Sequence, residues 1–228
     1  MQLRLLGTSH VSQQSIDEIT SVITSWQPDI VAVELDVQRA TGLLQEKKSK
    51  VKISDILKIG LKGWIFVKIG QFAQQKIGNM VGVAPGSEMK TALLLAKKHK
   101  LQVAFIDQPI QITLKNLSKR ISWKEKFRFG SDIVKGLFRP RKQMKNLGLK
   151  NFDLRKVPEQ NIIEKMMLPL KERYPSVYKT LVSDRNTYMV KALIKLMRSF
   201  PDKKILCIVG AGHKKGMEKL LLKVEIVR

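Results

Sequence analysis

Asp29-Ile-Val-Ala-Val-Glu-Leu-Asp36 is the stretch that decides the fold. Residues 30–35 are apolar apart from Glu34, with β-branched Ile30, Val31 and Val33; they follow Pro28, and polar residues come after them, which is how a buried strand reads. Upstream, Leu3-Arg-Leu-Leu-Gly7 is a short apolar run closed by glycine, and Ile16, Ile19, Val22, Ile23 and Trp26 recur at helical spacing. Ser15-x-x-Glu18 predicts a capping box at the start of that helix. Strand, helix, strand in so short a span implies parallel pairing through a right-handed crossover.

The same grammar returns downstream. Residues 88–99 read as a helix through Met89, Leu93, Leu94 and Ala96, and 101–106 as a strand ending at Asp107. Residues 174–200 form one long or kinked helical pattern, 205–209 another buried strand, 217–222 a helix and 224–227 an edge strand. Such alternation predicts an α/β fold with a mainly parallel or mixed central sheet flanked by helices. At 228 residues the chain suits a single domain, 1–228, with helical basic insertions at about 47–84 and 111–172.

Charge is the unusual feature of the composition: 43 basic against 19 acidic residues, a net +24. Residues 47–76 hold eight Lys and one Asp, and residues 115–156 hold fourteen Lys or Arg and three acids. A field of that sign draws anionic partners, a membrane surface or nucleic acid, and the expected docking layer is these helices. The interleaved aromatics of RNA-binding and single-strand-binding modules are missing. A single cysteine, Cys207, excludes an internal disulfide framework and reads as a small buried thiol, with a nucleophile as the alternative. The first residues turn polar too early for a signal peptide, and no run reaches the roughly 18 apolar residues of a membrane helix. The expected location is cytoplasmic, with association at the inner face of the membrane if the basic helices dock there.

In open α/β sheets ligands bind beyond the carboxyl ends of the strands. The polar residues at those ends are Gly7-Thr-Ser9-His10, then Glu34 and Asp36, then Asp107, then Gly210-Ala-Gly212-His213. Two Gly-x-x-His tetrapeptides are more than a chain with 14 Gly and 3 His supplies by chance. Glycine permits an abrupt turn or a close backbone approach, and imidazole with carboxylates suits zinc, manganese or cobalt. Each histidine alone reads equally well as a helix cap or the partner of a buried carbonyl. Glu34 is the stronger candidate, since a carboxylate in a central strand is costly unless paired or liganded. Asp36 reads as the cap of the next helix, and His99 as a solvated helix end.

Gly7-Thr-Ser-His10-Val-Ser12, Asp29 to Asp36 followed by Arg39, Pro85-Gly-Ser-Glu88-Met, and Val209-Gly-Ala-Gly-His213 with Gly216 resemble the motif series of the TraB/PrgY pheromone-shutdown family. That family is similar to Tiki-type metalloproteases and, more distantly, to erythromycin-esterase and ChaN-like proteins. The match covers roughly residues 1–40, 85–110 and 181–222. The resemblance implies acidic residues and paired Gly-x-x-His motifs around one cleft, and in Tiki-like members a metal-dependent peptidase. Carried over, His10 and His213 are ligands or neighbours of a divalent metal, and Glu34 and Glu88 are ligands or the general base, with Glu34 favoured as ligand and Glu88 as base. Arg185 stabilises an oxyanion or holds a carboxylate in place. Gly7, Ser9, Asp107, Asp184, Gly210 and Gly212 complete the expected cleft. The sequence has Asp184-Arg-Asn186 where relatives often have Glu-Arg-Asp/Asn, and Asp107-Gln-Pro109 where they often have Asp-Arg-Pro. Two functions follow: a metal-dependent, peptidase-like hydrolase that inactivates or sequesters a signalling peptide or acts on another small substrate, or a non-catalytic module that captures a peptide or anion. A homo-oligomer is compatible with either.

Overall fold

The computed structural model describes residues 2–9, 12–45, 86–138 and 160–226. Strand β1 (Gln2–Thr8) leads to helix α1 (Gln13–Trp26), strand β2 (Ile30–Val33) and helix α2 (Val37–Leu44). Then come α3 (Ser87–Lys98), β3 (Gln102–Phe105), α4 (Ile110–Arg120), α5 (Trp123–Phe138) and α6 (Gln160–Arg173). A short α7 (Pro175–Tyr178) runs through a π-helical turn, Lys179–Ser183, into α8 (Asp184–Ser199), followed by β4 (Lys204–Gly210) and α9 (Ala211–Ile226).

The four strands form one parallel sheet in the order β1-β4-β2-β3. β4, the last strand in sequence, is inserted between β1 and β2, and this makes the opening strand-helix-strand unit straddle it. Edge and centre differ as burial demands: β2 is buried at every residue and β4 at all but its first, whereas β1 and β3 are partly exposed. Both central strands are therefore continuous apolar runs.

Alternate residues of the central strands feed two cores. Val31, Val33, Leu206 and Ile208 face Ile19 and Ile23 of α1 and Met89, Ala92, Leu93 and Ala96 of α3. Ile30, Ala32, Ile205, Cys207 and Val209 face Met189, Val190 and Leu193 of α8 and Met217 of α9. The result is a sheet covered on both faces. Burying a leucine such as Leu206, fully inaccessible, stabilises by about 1.5–3 kcal/mol.

Three local expectations are corrected. α1 begins at Gln13, so Ser15 lies inside the helix instead of capping it, and its Oγ accepts the Ser9 N–H at 2.9 Å. The edge strand expected at 224–227 is overturned at its described residues, because α9 runs on through Ile226: nothing between Met217 and Ile226 breaks a helix, and Leu220 and Leu221 add to the core at helical spacing. That helix also starts at Ala211, directly on β4. The long or kinked helix expected over 174–200 is present as a continuous run, Pro175–Tyr178, the π turn Lys179–Ser183 and Asp184–Ser199.

The basic stretch 47–76 and the basic loop expected at 139–157 lie outside the described residues. Within 111–172, the described parts are helical, in α4, α5 and α6. Among the described residues no helix is long and apolar enough to cross a membrane.

Candidate functional site

Glu34 follows the last residue of β2, and its backbone N–H still donates to Ile208 of β4 at 3.1 Å. Its carboxylate is 3 % exposed and fixed at both oxygens. Oε2 accepts the Gly210 N–H at 2.6 Å, and Oε1 accepts Arg185 Nη2 at 2.5 Å. Gly210 ends β4 where α9 begins, so the carboxylate sits against the positive end of a 16-residue helix. The sequence reading that a strand carboxylate here must be paired is met by these two partners.

Arg185, in the first turn of α8, ties the strand ends together. Its Nε and Nη2 grip Asp107 at 3.0 and 2.6 Å, Nη2 also reaches Glu34, and Nη1 reaches the Leu181 carbonyl at 3.3 Å and His213 Nε2 at 3.2 Å. All five guanidinium hydrogens are thereby engaged, the Nη1 pair by the longest contacts. Burial opposes the charge of this guanidinium, but Glu34 and Asp107 outweigh it and hold the side chain more firmly protonated than a free arginine. The side chain bonds both carboxylates.

Asp107, beyond β3, is shared: Arg39 Nη1 donates to its Oδ2 at 2.7 Å and the Gln108 N–H to its Oδ1 at 2.8 Å. Asp36 caps α2 by accepting the Arg39 N–H at 2.9 Å, and its other oxygen accepts the Ile110 N–H at 3.2 Å. Two guanidiniums and two carboxylates, Glu34 and Asp107, balance one another.

His213 lies in the first turn of α9 and is 8 % exposed. Its Nδ1 is 2.6 Å from Asn186 Oδ1, an amide oxygen that can only accept, so the ring hydrogen sits on Nδ1. Nε2 then carries the lone pair, 3.4 Å from Glu34 Oε1 and within reach of Arg185 Nη1. The sequence reading gave Asn186 no role. The signal was its adjacency to Arg185 in the same motif, together with Gly216: a Cβ there would overlap the Asn186 amide nitrogen, so only glycine leaves room for the residue that orients the histidine.

The remaining expected residues separate. Thr8 pairs with Gly210, so the chain leaves β1 at the edge of the sheet where α9 begins; His10 itself lies outside the described residues. Gly7 lies close to α9, where a Cβ on it would stand 3.1 Å from Lys214 Cδ. Gly212 faces the Met167 side chain of α6. Ser9 hydrogen-bonds Ser15 through its backbone. Glu88 is fully buried in the first turn of α3. Asp184 is turned away toward Arg120 and Lys179, which outweigh burial and lower its pKa below the ordinary carboxylate value. Cys207 is buried in the sheet, and burial, with Glu34 nearby, pushes its thiol up, which removes the nucleophile alternative.

A divalent ion would need His213 Nε2 and Glu34 Oε1 together, and their 3.4 Å separation is compatible with tetrahedral ligands. The guanidinium of Arg185 already donates to both atoms. At about 3 Å and an effective dielectric of about 20, its repulsion is about 5 kcal/mol for each unit of the ion's charge. Among the described residues no group of three or more His, Cys, Asp or Glu is placed to hold a metal. As arranged, the described residues do not fit a divalent metal. They make a charge-balanced arginine–carboxylate–histidine cluster.

The sequence profile of the TraB/PrgY/gumN family matches residues 2–225. An uncharacterized protein of Methanocaldococcus jannaschii is 36% identical over 226 residues, spanning 97% of this chain and 53% of its own length. The TraB domain-containing protein of Homo sapiens is 24% identical over 239 residues, spanning 94% of this chain and 61% of its own. This chain thus spans between about half and three-fifths of these relatives. Among solved structures, a mutant of the erythromycin esterase EreC in its open conformation aligns over 92% of this chain and 60% of its own, at 16% identity and a TM-score of 0.33.

Proposed function

The chain belongs to the TraB/PrgY/gumN family, and from that premise and the geometry of its strand ends we propose that it is a hydrolase acting on a carbonyl centre, an amide or ester of a peptide or another small substrate. One observation carries the reading: His213 Nε2, Glu34 Oε1 and Arg185 Nη1 converge beyond β2 and β4, with the imidazole fixed in the tautomer that can take a proton.

In this reading His213 is the general base. Nε2 removes a proton from the attacking water and returns it to the leaving nitrogen or oxygen as the tetrahedral intermediate collapses; the hydrogen on Nδ1 stays there, donated to Asn186 Oδ1, and Glu34 beside the ring stabilises the imidazolium that forms. Glu34 is unsuited to be the base itself, since Gly210 and Arg185 occupy its two oxygens. Arg185 Nη1 holds its partners by the longest bonds of the guanidinium, so it is the edge that exchanges them for a substrate oxygen. Turned to the carbonyl, it stabilises the negative charge of the tetrahedral intermediate, while Asp107 and Arg39 keep the rest of the group from moving.

The test is a panel of quenched-fluorescent peptides and chromogenic esters presented to the purified chain. Turnover should fall about 10²–10⁴-fold in His213→Ala, the range a positioned general base supplies. If the panel yields turnover that His213→Ala leaves unchanged, the reading is wrong.

A further inference from the structure

Helix α5 carries a surface feature unrelated to the strand-end cluster. Trp123 and Phe127, one helical turn apart, are 67% and 74% exposed, the two most exposed of the large apolar side chains described. Their ring centroids are 6.4 Å apart and the rings are tilted by 35°. Two large aromatics on one helix face are costly to leave in water without a reason. Lysines adjoin them: Lys126 Nζ lies 4.1 Å over the Trp123 ring, and Lys124 is exposed beside it, whereas Arg128 donates to the Arg173 carbonyl at 3.2 Å.

Acidic residues of the same helix are withdrawn from that face. Glu125 is buried and accepts from the Ser122 N–H and Oγ, both at 2.9 Å, and from the Ser176 N–H at 2.7 Å. Asp132 is gripped by Arg173 and by the Tyr174 hydroxyl at 2.6 Å. Phe129 packs edge-on against Tyr174, centroids 6.3 Å apart. One side of α5 is thus anchored to α6 and α7, and its two carboxylates are spent there. The opposite side presents aromatic rings rimmed by cations, with Lys115 and Lys119 exposed on neighbouring α4.

We propose that this face of α5 docks the protein on an anionic lipid bilayer, Trp123 and Phe127 entering the headgroup–acyl boundary and Lys124 and Lys126 meeting lipid phosphates. The chemistry is that of an interfacial helix: aromatics at the boundary depth, cations level with the headgroups, no spanning segment required. The rings stand on a convex helix surface a turn apart, which suits a plane of lipid better than the successive stacked bases of a nucleic acid strand.

The experiment is co-sedimentation of the full 228-residue chain with vesicles of phosphatidylcholine alone or with about one-third phosphatidylglycerol, read also by quenching from brominated lipid. Binding to the anionic vesicles should exceed that to the neutral ones and weaken with added salt. At about fivefold per basic residue, Lys124→Gln/Lys126→Gln should lose about 25-fold. Trp123→Ser/Phe127→Ser should lose at least tenfold with an unchanged melting temperature, since both side chains are exposed. Trp123 should be quenched, so Trp123→Phe should reduce the quenching. Vesicle binding unchanged in Trp123→Ser/Phe127→Ser overturns the proposal, as does the absence of preference for anionic lipid. Loss of oligonucleotide binding with retained vesicle binding in that variant also overturns it, assigning the face to nucleic acid.

Discussion

Replacing Arg185 by methionine removes a buried charge at nearly constant volume, and the structure says what is left behind. The Arg185 side chain is 14% exposed, and its two carboxylate partners, Glu34 and Asp107, are 3% and 1% exposed. Removing one member of a buried pair costs about 3–5 kcal/mol, because the abandoned charge cannot be rehydrated. Here the lower end applies: Asp107 keeps Arg39 and the Gln108 N–H, and Glu34 keeps the Gly210 N–H. A loss of about 3 kcal/mol in a domain of this size lowers the melting temperature by about 6–12 °C. Calorimetry at neutral pH reads it directly. Glu34→Gln added to Arg185→Met should recover about 1 kcal/mol or more, since contacting residues couple and the orphaned charge is then gone. If Arg185→Met melts within about 2 °C of wild type, the guanidinium is not the tie between strand ends, and the argument built on it fails.

Other outcomes are equally checkable. Gly216→Ala should push Asn186 off His213, costing about 1–3 kcal/mol by overpacking and shifting the His213 ring nitrogens in ¹⁵N spectra toward a mixture of tautomers, as Asn186→Ala should. Zinc titrated calorimetrically should bind Arg185→Met more tightly than wild type, because the guanidinium that repels the ion is gone; tight binding to wild type that His213→Ala removes would instead favour a metal-held site and sink the general-base assignment. For Glu125, burial raises the pKa but the Ser122 and Ser176 hydrogen bonds outweigh it, so the folded value lies below the ordinary one. Its contribution is therefore full above the ordinary glutamate pKa and is lost as pH falls through the folded value, so the melting-temperature gap between wild type and Glu125→Gln should close on acidification. Cys207 should resist alkylation in the native state and react once the chain is unfolded, given its burial and raised pKa.

The parallel sheet was legible because both central strands, β2 and β4, are buried on two faces and so read as unbroken apolar runs. Strand order was not legible, since nothing local in the sequence says that β4 enters between β1 and β2. Glu34 could be singled out from one physical rule, the cost of a lone carboxylate in such a strand. Arg185 could be placed only through its motif, because its five bonds reach residues up to 151 positions away. Asn186 was missed for the same reason: an asparagine in a helix signals nothing until the histidine it meets is brought beside it. The capping box failed because Ser15 had a competing use, taking the Ser9 N–H at the exit of β1. The edge strand failed because Val224 and Ile226 have β propensity but follow a helix with no residue to stop it.

The central claim is that the carbonyl chemistry takes place where His213 Nε2, Arg185 Nη1 and Glu34 meet. A crystal structure of the chain with a phosphonate mimic of a tetrahedral peptide or ester intermediate, grown in the presence of zinc and measured at its absorption edge, tests it most directly. The account predicts a phosphonate oxygen about 2.7–3.1 Å from Arg185 Nη1 and another facing His213 Nε2, with no anomalous peak between His213 and Glu34. A phosphonate bound elsewhere, with Arg185 still closed on Glu34 and His213, or a zinc ion seated between those two side chains, would contradict it.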